Sequence, residues 1–201
     1  MNIDLSDKTA LVTGSTAGIG YAAALGLARM GAEVIVNGRT RERVDGAVRG
    51  IENAVEGACI TGVAADLAKA RGVTQLTEAL PRVDILVNNL GIFSTQPFAA
   101  IEDAEWQRFF DTNVMSGVRL TRHYLPGMLA RDWGRVVFVS SESGINIPVE
   151  MPHYDFTKTA QLAISRGVAE TLAGGNVTCN AVMPGPMRSE GFGDFVARMA
   201  E

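Results

Sequence analysis

Short, unbroken apolar runs alternate with longer stretches of helical periodicity along the whole chain. Ala10-Leu11-Val12, Val34-Ile35-Val36, Cys59 to Ala64, Ile85-Leu86-Val87, Val136 to Val139 and Val177 to Val182 read as six strands. Gly18 to Met30 and the segments at about 41–53, 68–80, 103–130 and 154–173 read as the helices between them. Gly31 stands where the first helix must stop. Strands covered by helices on both faces lose their polar alternation and become continuous apolar runs, as these are. The order predicts one doubly wound α/β domain over residues 1–201, a parallel sheet with helices on both faces. In such sheets ligands bind beyond the carboxyl ends of the strands. Gly14, Asn88, Ser141 and Gly185 fall there, after the first, fourth, fifth and sixth strands.

Composition narrows the picture. A chain of 201 residues, 47% hydrophobic with mean hydropathy +0.13, suits one domain with a full core. A net charge of −4 and a pI near 5.3 carry no sign of the basic face that nucleic acids require. Cys59 and Cys179 cannot form a disulfide framework and, set in apolar surroundings, are expected as buried free thiols. That usage fits a reducing, cytoplasmic compartment, and Met1 to Leu5 lacks the basic start of a secretory signal. Thr9 to Ala28 is uncharged and as long as a membrane span, yet Gly14, Gly18, Gly20 and Gly26 break it. A strand, a turn and a buried helix account for it better, so no membrane is expected. The histidines and cysteines show no metal-ligand spacing, and the Gly-x-Ser-x-Gly elbow of a hydrolase is missing.

The candidate chemistry begins at Gly14-Ser15-Thr16-Ala17-Gly18-Ile19-Gly20. Glycines between a strand and a helix let backbone amides approach a pyrophosphate at the helix N-terminus. The second strand ends in Asn37-Gly38-Arg39, without the acidic residue that bonds ribose hydroxyls in NAD enzymes. Arg39 offers instead a forked cation suited to a 2′-phosphate, which points to NADP with NAD as the alternative. Asp66 and Leu67 follow the third strand, where they could meet the adenine edge. Asn88-Asn89-Leu90-Gly91 forms a turn after the fourth that would pass beside the adenosine ribose and bind the cofactor through Asn88, Asn89 and Gly91, although these are also ordinary turn residues. Asn113 lies inside a helical pattern that it slightly disfavours. His123, Trp106 and Trp133 read as packing or surface residues, and His153 should point away from its neighbour Tyr154. Tyr154 and Lys158, four apart on a helix, share a face. An ammonium so placed favours the phenolate, and a serine such as Ser141 beside the pair could hold a carbonyl or alcohol oxygen.

Taken in order, Thr13-Gly14-x3-Gly18-Ile19-Gly20, Asn88-Asn89-x-Gly91, Asn113, Ser141, Tyr154-x3-Lys158 and Pro184-Gly185 resemble the short-chain dehydrogenase/reductase family over essentially the whole chain. The resemblance implies a Rossmann-like fold and NAD(P)-dependent hydride transfer between a nicotinamide and a carbonyl or secondary alcohol. It makes Tyr154 the general acid/base, Ser141 the holder of the substrate oxygen, and Lys158 the group that tunes the tyrosine and bonds the nicotinamide ribose. Asn113 would support a water in a proton relay from Lys158. Ser140 and Ser143 compete with Ser141, which the family's usual interval favours. Pro184, Gly185 and Met187 would line the nicotinamide, although the family commonly has threonine where Met187 stands. Leu90 replaces the usual alanine and is expected to crowd the adenosine side.

Family members continue through a substrate lid and a seventh strand, so the sequence to Glu201 is expected to be incomplete, with six strands present. The resemblance also implies a homodimer or homotetramer built through the two long helices, and a small-molecule substrate. Two other readings are a fatty-acid-type 3-oxoacyl reductase and a non-catalytic dinucleotide-binding sensor or assembly protein. Arg131 is followed by Asp132, and Gly174-Gly175 end the catalytic helix, which argues against a carrier-protein partner. Glu142 to His153, with Glu150 and Met151, is expected to line the substrate entrance.

Overall fold

The structure, a computed structural model, describes residues 3–187. Strands β1 (Thr9–Val12), β2 (Glu33–Gly38), β3 (Ile60–Ala64), β4 (Ile85–Asn88), β5 (Gly134–Val139) and β6 (Val177–Val182) form one parallel sheet. Their order is β3-β2-β1-β4-β5-β6, so the direction of winding reverses between β1 and β4. A crevice opens at such a switch point, beyond the strand ends. In-register apolar rows cross the sheet: Leu11 pairs with Ile35 and Leu86, Leu86 with Val136, and Val136 with Cys179.

Successive strand residues point to opposite faces, and this alternation divides the core in two. Leu11, Ile35, Leu86, Val136 and Phe138 face one layer, with Leu76, Leu120, Tyr124 and Met128 from helices α3 (Ala70–Ala79) and α5 (Ser116–Ala130). Ala10, Val12, Val34, Val36 and Val87 face the other, against α1 (Gly18–Arg29) and α2 (Arg41–Ala54) through Ala24, Ala28, Val44 and Ile51. Each large apolar side chain buried in this way contributes about 1.5–3 kcal/mol. Asp84 anchors the start of β4, taking bonds from the Thr9 amide, Arg82 and Arg131.

The expected long helix at about 103–130 is not uniform. It runs as α4 (Asp103–Phe109), a π turn (Phe110–Met115) and α5, with Asn113 inside the π turn. Such wide turns loosen the helical ladder and leave carbonyls open to outside donors. α6 (Pro152–Thr171) starts two residues before the expected 154, with Pro152 in its first turn. Cys59 departs from expectation: it is exposed, because it precedes the sheet-edge strand β3 and not a covered one, whereas Cys179 is buried in β6. No helix among the described residues is long and apolar enough to cross a membrane, and none of their acidic, histidine or cysteine side chains cluster to hold a metal.

Candidate active site

The glycine turn sits at the end of β1. Gly14 and Gly18 both adopt left-handed backbone, at φ 60° and 58°, which side chains rarely tolerate. Gly20 is needed for space: a Cβ there would fall 2.5 Å from the Gly14 carbonyl oxygen and onto the Asn89 amide. Ala17, which caps the N-terminus of the helix that follows, supplies no capping oxygen, and the helix's first turn has no acid. Its leading amides are thus left for an anion. Thr16 packs its methyl against Gly38 and Ile19 is partly exposed at the helix start. This cradle fits a dinucleotide diphosphate.

Several flanking residues brace the cradle. The Ser15 hydroxyl donates to Val12 O at 2.6 Å and accepts from the Asn37 amide at 3.0 Å, and the Ser15 N–H donates to Asn37 O. Asn37 also accepts from the Gly14 N–H and donates to Val63 O and Ala65 O, so one buried amide ties β1, β2 and β3 together. Thr13 does the same toward β4, its hydroxyl accepting from the amides of Asn89 and Leu90 at 2.9 Å each. Asn89 returns its side-chain amide to Thr13 O and Gly14 O. Nothing in the sequence singled out Asn37; its signal was a polar residue inside an otherwise apolar strand.

Arg39 is exposed just past β2 and makes no hydrogen bond or ion pair among the described residues. Asp66 pairs with Lys69 at 3.2 Å and takes the Ala68 amide, while the Leu67 side chain is buried in the core. Asn88 turns inward, donating to Thr121 Oγ1 at 3.1 Å, and so presents no side chain to the crevice. Leu90 packs toward the core beside Gly14. Gly91 lies against the far side, where a Cβ would come 3.6 Å from Lys158 Nζ. Pro184 and Gly185 follow β6, with the Pro184 carbonyl taking the Glu142 amide, and Met187 is exposed.

The Ser141, Tyr154 and Lys158 side chains meet beyond β5. Ser140 and Ser141 follow that strand, but their hydroxyls divide: Ser140 donates to Lys158 O at 2.8 Å and is buried, whereas Ser141 Oγ lies by the Tyr154 phenol. Ser141 also accepts from the Ser143 amide at 3.2 Å. Lys158 is only 4% exposed, and Nζ donates to Val139 O at 2.9 Å, 5.4 Å from the Tyr154 ring centroid. Burial pushes the Lys158 ammonium down to about 8. Burial raises the Tyr154 phenol; the hydrogen bond from Ser141 lowers it, and the Asp155 carboxylate raises it again. The resting phenol is therefore protonated at neutral pH and poised to donate.

Asn113 serves as a clamp. Its Oδ1 takes the Ile92 amide at 2.8 Å, and its Nδ2 donates to Ile92 O at 2.9 Å and Thr157 Oγ1 at 3.0 Å. Thr157 passes the bond on to Tyr154 O. His153, fully buried, points away from the crevice as expected and meets Ser94 Oγ at 3.1 Å, packed on Phe109. Phe93, one residue before Ser94, lies edge-on to the Tyr154 ring. Trp106 packs among Phe98, His153 and Phe156, and Trp133 lies under Lys8 and Arg135. His123 is an exposed neighbour of Tyr124.

An anion cradle and a half-buried tyrosine beside Ser141 and Lys158, set on the two sides of a doubly wound switch point, fit an NAD(P)-linked oxidoreductase acting on CH–OH groups. The chain belongs to the short-chain dehydrogenase family, whose sequence profile matches residues 8–199. It is 51% identical over 191 residues to the uncharacterized oxidoreductase YvaG of Bacillus subtilis, covering 95% of this chain and 72% of the relative. The L-sorbose reductase of Gluconobacter frateurii, solved with NADPH and L-sorbose, superposes with a TM-score of 0.88 at 32% identity, covering 95% of this chain and 74% of that one. A 3-oxoacyl (acyl-carrier-protein) reductase from Agrobacterium tumefaciens with NADP bound gives 0.90 at 34% identity, over 97% and 76%.

Proposed function

We propose that this enzyme is an NADPH-preferring, cytoplasmic reductase of small carbonyl compounds, working also in reverse on secondary alcohols, and assembled as a homodimer or homotetramer through α4–α5 and α6. The observation that carries the reading is the convergence of Ser141, Tyr154 and Lys158 beyond β5. The relatives solved with NADPH or NADP support the cofactor, and so does the unpaired Arg39 where an NAD enzyme carries an acid.

The amides of the α1 N-terminus and the glycines at 14, 18 and 20 would hold the diphosphate, and Arg39 the 2′-phosphate. The turn at Asn89 and Gly91 would flank the adenosine ribose, with Asp66 and Leu67 beside the adenine. Lys158 would bond the nicotinamide ribose, and Pro184, Gly185 and Met187 would pass beside the nicotinamide. When bound, the cofactor supplies the hydride that reaches the carbonyl carbon. Ser141 donates to the carbonyl oxygen and stabilises the charge that develops there. Tyr154 transfers its phenolic proton to that oxygen, giving the alcohol, and Lys158 stabilises the phenolate left behind. Substrate enters past Phe93 and the 142–151 loop, where Ile145, Ile147 and Val149 are exposed. Arg131 is committed to Asp84 at 3.1 Å, which leaves it unavailable to an acidic carrier protein.

Purified protein assayed with NADPH over a carbonyl panel should oxidise the cofactor, and Tyr154→Phe should lose about 10²–10⁴-fold in kcat while keeping NADPH affinity. Full activity in Tyr154→Phe would sink the acid–base assignment. Tight NADPH binding without turnover on any carbonyl or alcohol would favour the sensor reading.

A further inference from the structure

Lys158 and Gln161 lie three residues apart on α6, on one face of the helix. Gln161 is 1% exposed, in a position where a long polar side chain must find partners at both ends of its amide. It finds them in two different parts of the site. Its Oε1 accepts from Lys158 Nζ at 3.3 Å, and its Nε2 donates to the backbone carbonyl of Asn113 at 2.6 Å. That carbonyl lies within the π turn of Phe110–Met115.

We propose that Gln161 is a positioning residue for proton transfer: it fastens the Lys158 ammonium to the π turn at Asn113, and so fixes the charge that serves Tyr154. The proposal rests on the reading of Tyr154 and Lys158 as the proton-transfer pair.

The chemistry of the two anchors selects the side chain. One end must accept from an ammonium and the other must donate to a carbonyl. A carboxylate at 161 would set oxygen against the Asn113 carbonyl, and a cationic side chain would set charge against Lys158. An apolar one would satisfy neither anchor. An amide of this length meets both, and the two anchors also fix which way it faces. Because it holds no acidic proton, the bridge is a fastener and not a relay.

The clamp has a second arm. Thr157 and Gln161, four residues apart and on either side of Lys158, both bond Asn113, one to its side chain and one to its carbonyl. Two of the three ammonium protons are thereby spent, on Val139 O and Gln161 Oε1. The third remains for the open side, toward Gly91 and the Tyr154 ring. The charged groups facing Tyr154 are Lys158, 5.4 Å from the ring centroid, and Asp155, which raises the phenol, with Glu150 acting in turn on Asp155.

The test is Gln161→Met, which keeps the volume and removes both bonds. Lys158 is titrated in each protein by nuclear magnetic resonance of its ε-methylene. With the Gln161 acceptor removed, the ammonium should lose its proton at lower pH than in the native protein, where burial already holds it at about 8. In steady-state reduction with NADPH, kcat should fall about tenfold or more while the carbonyl KM stays within about threefold. A Gln161→Met protein with native titration and native kcat overturns the proposal. If that variant does not fold, nuclear magnetic resonance of the native protein decides. The Gln161 side-chain amide should shift as Lys158 titrates near pH 8, and an amide signal indifferent to that titration overturns the proposal. Both titrations read the bridge without turnover, so an enzyme inactive on every carbonyl refutes the proposed activity without deciding the role of Gln161.

Discussion

The Ser140 hydroxyl donates to the backbone carbonyl of Lys158 at 2.8 Å. Adjacent serines at a strand end point in opposite directions, and here one side holds the helix while the other holds the phenol. Ser141→Ala should therefore reduce kcat by about 10²-fold with little change in melting temperature, as loss of a donor to a developing oxyanion does. Ser140→Ala should cost about 1 kcal/mol of stability and less than tenfold in kcat. Steady-state kinetics beside thermal melting separates the two, and the reverse pattern would exchange their roles.

The sequence order of apolar runs was enough to read the sheet, because strands buried on both faces cannot hide their composition. The glycine turn and the Tyr154–Lys158 pair were legible because their spacing follows from backbone geometry, whereas Ser141 was picked over Ser140 and Ser143 on the family resemblance. Asn37 and Gln161 were not. Asn37 bonds to other strands, and one of Gln161's two partners, the Asn113 carbonyl, lies far off in sequence, so local pattern gives little sign of what they hold. The π turn at Asn113 was invisible for a related reason: Phe110–Met115 contains neither proline nor glycine, and its register depends on packing against α6. Asn88 was read as part of a cofactor-binding turn, and its inward bond to Thr121 shows how weakly a strand-end asparagine specifies a ligand.

Gly20 tests the cradle by volume alone. Alanine there would press on the Gly14 carbonyl and the Asn89 amide, the groups that hold the turn against β4. Gly20→Ala should destabilise the protein by about 1–3 kcal/mol and weaken NADPH binding at least tenfold in fluorescence titration. Unchanged affinity would place the diphosphate elsewhere.

Arg39 tests the cofactor preference. With no competing ion pair among the described residues, its guanidinium is free for a 2′-phosphate. Arg39→Asp should raise the NADPH KM about tenfold or more, since a charge-assisted fork is lost and a repulsion added. NADH, whose ribose hydroxyls the new carboxylate can accept, should gain ground relative to NADPH. Equal effects on the two cofactors would dismiss Arg39 as the selector.

Asp155 follows Tyr154 and is fully buried, and among the described residues neither carboxylate oxygen has a hydrogen-bond partner. Burial first, and Glu150 second, push its carboxyl up from 3.8 to about 6. The folded protein therefore holds this proton to higher pH than the unfolded chain does. Stability falls as pH rises from about 4 to about 6, and the loss persists above that range. Asp155→Asn removes the charge while keeping the shape, so it should stabilise the protein by about 1–3 kcal/mol near neutral pH. At about 2–4 °C per kcal/mol for a chain of this size, calorimetry resolves the gain. The difference between the two proteins should shrink as the pH is lowered from about 7 toward about 4, where the native carboxyl is neutral in the fold and about half-protonated in the unfolded chain. A gain independent of pH would mean that the side chain is ionised and solvated at this place in the fold. An ionised Asp155 would still oppose the phenolate of its neighbour Tyr154.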